Sequence, residues 1–306
     1  MHTPVFSSTV GFTLALAVSL TCQFSACAAP GIAQASTPVV VARVAENSAN
    51  ETTCNRTITI AASPLGRSMV ISPEGKITGA TKVFFDLIAK DTACVFEYII
   101  VPRARAWHML DSGQIDLVAD ATRSPERDRV AQFFEVGKTR PVLISLPGRV
   151  LKHKTVEQLI DSPITLITFN GHYWGQAYSD LLTHPKMQGR ISSIPSPDIA
   201  VKMLLSGRAD AILTGQAVIL DAWEKSGGNT KLNISVLEEL PALTYGLYMS
   251  KDKMSEHDRT LIEAATIARI KSGDLAKIVS NYYPAWAIYH DPSSESANKK
   301  SEKTKK

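Results

Sequence analysis

Short apolar runs and amphipathic stretches follow one another along this chain as strand and helix do in α/β proteins. The clearest case occurs twice: Met109-Leu110-Asp111-Ser112-Gly113-Gln114-Ile115-Asp116 returns 94 positions later as Met203-Leu204-Leu205-Ser206-Gly207-Arg208-Ala209-Asp210. Each copy predicts a helix that ends at a glycine and passes directly into a buried strand, Ile115 to Ala121 and Ala209 to Leu213. Gly113 and Gly207 suit the left-handed position that closes a helix. Two α/β units of one design therefore share the chain. Open α/β sheets bind ligands outside the carboxyl ends of their strands, so two such units facing each other would make a cleft with ligand groups on both walls.

The same patterning places strands at Thr57 to Ala62 and Val95 to Val101, with an amphipathic helix from about Ala80 to Lys90 between them. That is a βαβ unit, whose strands are parallel and commonly adjacent. Cys54 and Cys94 stand just before the two strands, so their thiols should meet at one end of the sheet and form a disulfide in an oxidising compartment. Further on, Ala104 to Ser112 reads as a helix, and the loop from Thr122 to Arg129 opens a helical stretch with Ser124 as N-cap and Pro125 at its first position. Val142 to Leu146 is a strand. The pattern then restarts: helix Val156 to Ile160, strand Ile164 to Thr168, the loop Phe169 to Gly175, a helix to about Leu182 and a short strand near Ile191. After the repeated unit come a helix over Ala217 to Lys225, a strand over Thr244 to Met249, and helices over Glu256 to Ser272 and Leu275 to Tyr282.

At 306 residues, 44% of them hydrophobic, the chain can bury the cores of two modest domains. Its net charge of +4 resides in the last eight residues, Lys299 to Lys306, which hold five lysines and one glutamate. The body is close to neutral, which argues against a nucleic-acid partner, since that needs a basic face on the domain itself. Residues 287–306 are expected to be a disordered basic tail. At the other end, Val10 to Leu20 has the length of a signal-peptide apolar core, and Ala33-Gln34-Ala35 supplies a cleavage site, although no Lys or Arg precedes Arg43. These features predict a signal peptide over 1–35, a linker over 36–53 and export to the periplasm. Lipid anchoring at Cys27 is the less favoured alternative.

The stretch Pro102-Arg103-Ala104-Arg105-Ala106-Trp107, the turn Ser112-Gly113-Gln114-Ile115-Asp116 and the loop Thr122-Arg123-Ser124-Pro125-Glu126-Arg127 resemble the first lobe of the family 3 extracellular solute-binding proteins, the periplasmic receptors of polar amino-acid type ABC importers. Gly207 to Ile212 is similar to the matching second-lobe strand, and Tyr245-Gly246-Leu247 to the return into lobe one. The resemblance implies a type II periplasmic-binding-protein-like fold: α/β, two-lobed and hinged, with the ligand cleft between lobes. Lobe 1 would span 54–144 plus 247–286 and lobe 2 145–246, with crossings near Ser145 and Tyr245.

It also implies site residues. Arg127 matches the arginine that grips the ligand carboxylate, a role suited to its planar fork of donors; the alternative is a surface pair with Glu126 or Asp128. Thr122 and Ser124 would add hydroxyls, or serve only as turn and cap. Asp120 would meet a ligand cation or balance Arg103 or Arg105. Arg103 stands where amino-acid receptors carry an aromatic wall, which favours an anionic or hydrogen-bonding ligand group. Gly171 and His172 match a helix N-terminus that binds carboxylate, with Tyr173 and Trp174 adding aromatic weight, and Thr214 lies at the end of the second-lobe strand. Gly215 is a departure. In α-amino-acid receptors this position usually holds an acid that pairs with the ligand's ammonium.

No nucleophile elbow, phosphate loop or metal-ligand spacing appears. We therefore expect a monomeric, non-enzymatic receptor, without cofactor or metal, that delivers a small polar, carboxylate-bearing solute to an ABC permease. The alternatives are an enzyme on the same fold, like cyclohexadienyl dehydratase, and a ligand-sensing or accessory protein.

Overall fold

A computed structural model describes residues 53–228 and 230–289. The expected signal peptide, nearly all of the linker and the tail beyond Tyr289 lie outside the described residues. The first part of the chain forms β1 (Ile58–Ala62), β2 (Val70–Ile71), β3 (Ile77–Thr78), α1 (Ala80–Thr92), β4 (Phe96–Ile100), α2 (Arg103–Asp111), β5 (Leu117–Thr122), α3 (Pro125–Val130) and β6 (Ala131–Thr139). Then come β7 (Pro141–Ser145), α4 (Val156–Asp161), β8 (Leu166–Phe169), α5 (Gln176–Thr183), β9 (Ile191–Ile194), α6 (Pro197–Leu205), β10 (Ala211–Gly215), α7 (Leu220–Lys225) and β11 (Asn233–Ser235). The last elements are β12 (Leu243–Ser250), α8 (Glu256–Lys271) and α9 (Asp274–Tyr282).

Two five-stranded sheets result, ordered β4-β1-β5-β12-β6 and β11-β7-β10-β8-β9. Each has three parallel strands, followed by an antiparallel strand that comes from beyond the unit, and an outer strand antiparallel to that one. The duplication seen in the sequence is thus a duplication of topology. It extends to the hydrogen bonds. Gly113 and Gly207 both adopt left-handed conformations, φ 66° and 68°. Their amides donate to Leu110 and Leu204, while Gln114 and Arg208 donate to Met109 and Met203, the two-bond closure that ends a helix at a glycine. The two aspartates also act alike: Asp116 accepts from the amide and hydroxyl of Thr59, both at 2.7 Å, and Asp210 from those of Thr165, at 2.8 and 3.0 Å. Each holds an arginine as well, Arg56 at 2.6 Å and Arg149 at 2.5 Å.

Three expectations are corrected. The stretch after Pro125 is helical only to Val130; Ala131–Thr139 is a strand because β12 pairs with it along its whole length, from Ser250 opposite Ala131 to Leu243 opposite Thr139. Because β7 pairs with β10 and β11, it belongs to the second sheet and the first crossing falls at Arg140, not near Ser145. The tail does not begin at 287: Ala287 is buried in the first core and Ile288 packs against it.

Cys54 and Cys94 are joined, with Cα atoms 4.9 Å apart, because β1 and β4 pair in parallel with Ile58 opposite Phe96. Closing a loop with a separation of 40 residues stabilises the fold by about 3–4 kcal/mol in the chain-entropy account. Reduction should therefore lower the unfolding free energy by that amount in urea titrations. Unchanged stability on reduction would show that the bridge constrains nothing that the core does not already hold.

Candidate functional site

A cavity of about 570 Å³ lies between the two sheets, with residues from both in its walls. The carboxyl end of β5 contributes Ala119, Asp120 and Thr122, and that of β10 contributes Gly215. Segments that follow other parallel strands add Arg103 at the start of α2 and the loop Gly171 to Trp174 after β8. This is where the α/β strand-end rule places a ligand.

Asp120 has φ 52°, left-handed inside a strand, and the ladder between β5 and β12 shifts register beside it, between Gly246 and Tyr248. A non-glycine residue held this way costs on the order of 1–3 kcal/mol, and such strain clusters at functional sites. Its carboxylate accepts from the Thr81 hydroxyl at 2.5 Å, and its backbone carbonyl accepts from Arg103 Nη2 at 2.8 Å. Burial pushes the carboxyl upward, against the pull of Thr81 and Arg103. Burial likewise brings the Arg103 guanidinium down to about 10, with Asp120 opposing it.

Arg127 also comes down to about 10, through burial and then repulsion by Arg103, and still carries its charge at neutral pH. Its guanidinium lies 3.8 Å from the centre of the Trp107 ring and donates to the carbonyls of Thr122 and Gly171, both at 3.0 Å. Trp107 Nε1 donates to the same Gly171 carbonyl at 3.0 Å, and Thr122 Oγ1 to the carbonyl of Tyr173. These bonds clasp the second lobe's loop to the first. Only glycine fits at 171, where φ is 77° and a Cβ would lie 2.8 Å from the Ala104 backbone. His172 is driven down to about 3 by burial and by Arg103 and Arg127, so it is neutral at physiological pH.

At Gly215 a Cβ would lie 3.1 Å from the Trp174 ring. The indole stands where an acidic side chain would have to project. Trp174 Nε1 and His172 Nδ1 are buried in the cavity wall without a hydrogen-bond partner in the protein, and an indole N–H can only donate.

Of the residues expected to contact ligand, Arg103, Asp120, Thr122, Arg127, Gly171, His172 and Tyr173 line the cavity. Arg105, Ser124 and Thr214 do not. Two residues along a helix turn by roughly 200°, so with Arg103 on the cavity side Arg105 lies exposed on the other. Ser124 is spent as N-cap of α3, its hydroxyl accepting from the Arg127 amide at 3.3 Å. Thr214 alternates with Gly215 along β10 and is fully buried away from the cavity. The sequence reading missed Thr81 and Tyr245, whose hydroxyl is raised to about 12 by burial and the nearby Asp120. It also missed an apolar wall formed by Phe84, Phe85, Val136, Leu247, Leu275 and Val279. Such residues carry no distinguishing signal, because an apolar helix face reads as core.

The sequence profile of the bacterial extracellular solute-binding proteins, family 3, matches residues 58–285. The chain belongs to this family. Membership in this family implies an exported protein that binds a small solute. No curated protein matches the chain in sequence. Several solved structures match its fold. One is an ABC uptake transporter substrate-binding protein from Streptococcus pneumoniae with bound histidine, at 16% identity and TM-score 0.63, covering 77% of this chain and 95% of that one. A histidine kinase sensor domain similar to periplasmic binding proteins matches at 16% identity and TM-score 0.61, over 74% of this chain and 96% of that one. The ancestral amino-acid-binding protein AncCDT-1, a precursor of cyclohexadienyl dehydratase, matches at 17% identity and TM-score 0.60, over 74% and 96%. Their shared fold is the two-lobed type II architecture. Among the described residues of this family member, no group of three or more His, Cys, Asp or Glu could hold a metal ion, and no helix is long and apolar enough to cross a membrane.

Proposed function

We propose that this family member is a periplasmic receptor that closes on a small solute bearing an anionic group, a carboxylate in the first instance, and presents it to an ABC-type permease. The observation that carries this reading is the charge of the cavity wall. Arg103 and Arg127 are both partly buried there, and Asp120 is the one acid among the described lining residues. Asp120 is itself pushed toward the neutral form by burial. An anion would therefore meet two guanidinium groups in a setting of low dielectric, where charge-assisted hydrogen bonds are strong. An α-amino acid's ammonium would lack a partner at Gly215, with the Trp174 ring in the way. The donor Arg127 spends on Gly171 joins the two lobes, so closure and anion binding would draw on one side chain.

Mass spectrometry of molecules released from denatured, purified protein should return an organic anion. In thermal-shift screening, carboxylates should stabilise the protein, a ligand at 100 times its dissociation constant adding about 2.7 kcal/mol. Ordinary α-amino acids should not. A large shift with such amino acids that survives Asp120→Asn would overturn the reading of Gly215 and of the ligand class.

A further inference from the structure

The cavity is larger and more apolar than a small carboxylate needs, and its apolar wall has a specific origin. Phe84, Phe85 and Leu247 belong to the buried core of the first lobe, and Val136, Leu275 and Val279 pack against that core while remaining partly exposed. All six line the cavity. Two guanidinium groups stand apart from that wall: Arg103 and Arg127 gather with Thr122 around Trp107 and the Gly171 loop, while Asp120, bonded to the Thr81 hydroxyl of α1, and Lys138 and Arg140 also line the cavity. Ile288, from the segment after α9, also lines the cavity and packs on the same core. At about 570 Å³ the space falls within the roughly 300–1,000 Å³ of sites for drug-sized ligands.

We infer that the ligand is an amphiphilic monoanion, its charged head at Arg127 and Arg103 and an aliphatic or aromatic body against α1, α9 and β12. This rests on the anion-receptor reading and goes further, since it names the part of the ligand that supplies most of the contact area. Space lined by apolar side chains holds water poorly, so each apolar group that enters it leaves bulk water without displacing a well-bonded one. His172, neutral and in the cavity wall, adds a polar ring there without a further charge.

Calorimetric titration with acetate, butyrate, hexanoate, octanoate and phenylpropanoate tests the inference on the oxidised full chain. Affinity should rise by about fourfold per added methylene up to the length the cavity accepts, the increment expected for a buried CH2. Val279→Asn and Leu275→Gln, both at partly exposed positions, should flatten that dependence, and circular dichroism melts of the unliganded variants check their folding. Arg127→Ala should weaken every member by a similar factor. If affinity does not depend on chain length but still falls in Arg127→Ala, the amphiphile is wrong and the anion receptor stands. If no member binds at any length, or if Arg127→Ala changes nothing, both readings fail.

Discussion

Arg127→Ala is expected to weaken binding of the anionic solute by about 2–4 kcal/mol, the loss typical when one member of a buried charged pair is removed. That is roughly a thirtyfold to thousandfold rise in dissociation constant. The structure explains why the loss should fall on binding more than on folding. Gly171's carbonyl keeps the Trp107 N–H when the arginine is gone, and Thr122, whose carbonyl loses its donor, lines the cavity. Arg127→Lys should recover only part of the affinity, since an ammonium cannot offer the two parallel bonds of a guanidinium or its flat stacking on Trp107. Calorimetric titration paired with melts of the unliganded protein separates the two effects. Retained affinity alongside a strongly lowered melting temperature would make Arg127 a structural clasp and remove it from the binding site.

Asp116→Ala should destabilise the fold by about 3 kcal/mol or more, the largest stability effect expected of a single polar substitution here. The Asp116 side chain is 0% exposed and Arg56 37% exposed. The variant would leave the amide and hydroxyl of half-buried Thr59 without their acceptor. The equivalent Asp210→Ala should cost clearly less, because Asp210 is 19% exposed, its partner Arg149 is 53% exposed, and water reaches both. Burial works against ionisation of Asp116, yet hydrogen bonds from Arg56 and Thr59 hold its carboxyl below the ordinary range. A depressed carboxyl contributes stability that is present above the unfolded-state pKa, about 4, and is lost as pH falls through the folded value. The acid limb of a stability-against-pH curve should therefore be shallower in Asp116→Asn than in the parent. Equal costs for Asp116→Ala and Asp210→Ala in urea titrations would show that the two copies of the turn are energetically alike and that burial does not separate them.

The features legible in the sequence are those that local chemistry decides. A glycine that ends a helix and an aspartate that follows it declare themselves within eight residues, and both copies fold as that chemistry requires, down to the threonine each aspartate binds. The disulfide was legible for a related reason, since a βαβ unit puts two strand starts at one sheet end whatever surrounds them. Arg127 and Asp120 were legible as candidates through the family resemblance, and the structure sets Asp120 near the carboxyl end of β5 and Arg127 in the helix that follows, the region where α/β folds put ligand chemistry.

Other features depend on partners distant in the chain. Ala131–Thr139 has no decisive period of its own and becomes a strand because β12, more than a hundred residues away, pairs with it from end to end across one register shift at Val136. Pairing of β7 with β10 and β11 likewise sets the crossing at Arg140. Whether Arg105, Ser124 or Thr214 could reach a ligand turned on helix phase, a capping bond and strand alternation, which sequence position alone does not orient. The apolar wall is the furthest from any local signal. Leu275 and Val279 have the spacing of an ordinary core-facing helix stripe. Only the packing of α9, α1 and β12 around a space they do not fill turns part of the first lobe's core into the side of a binding cavity.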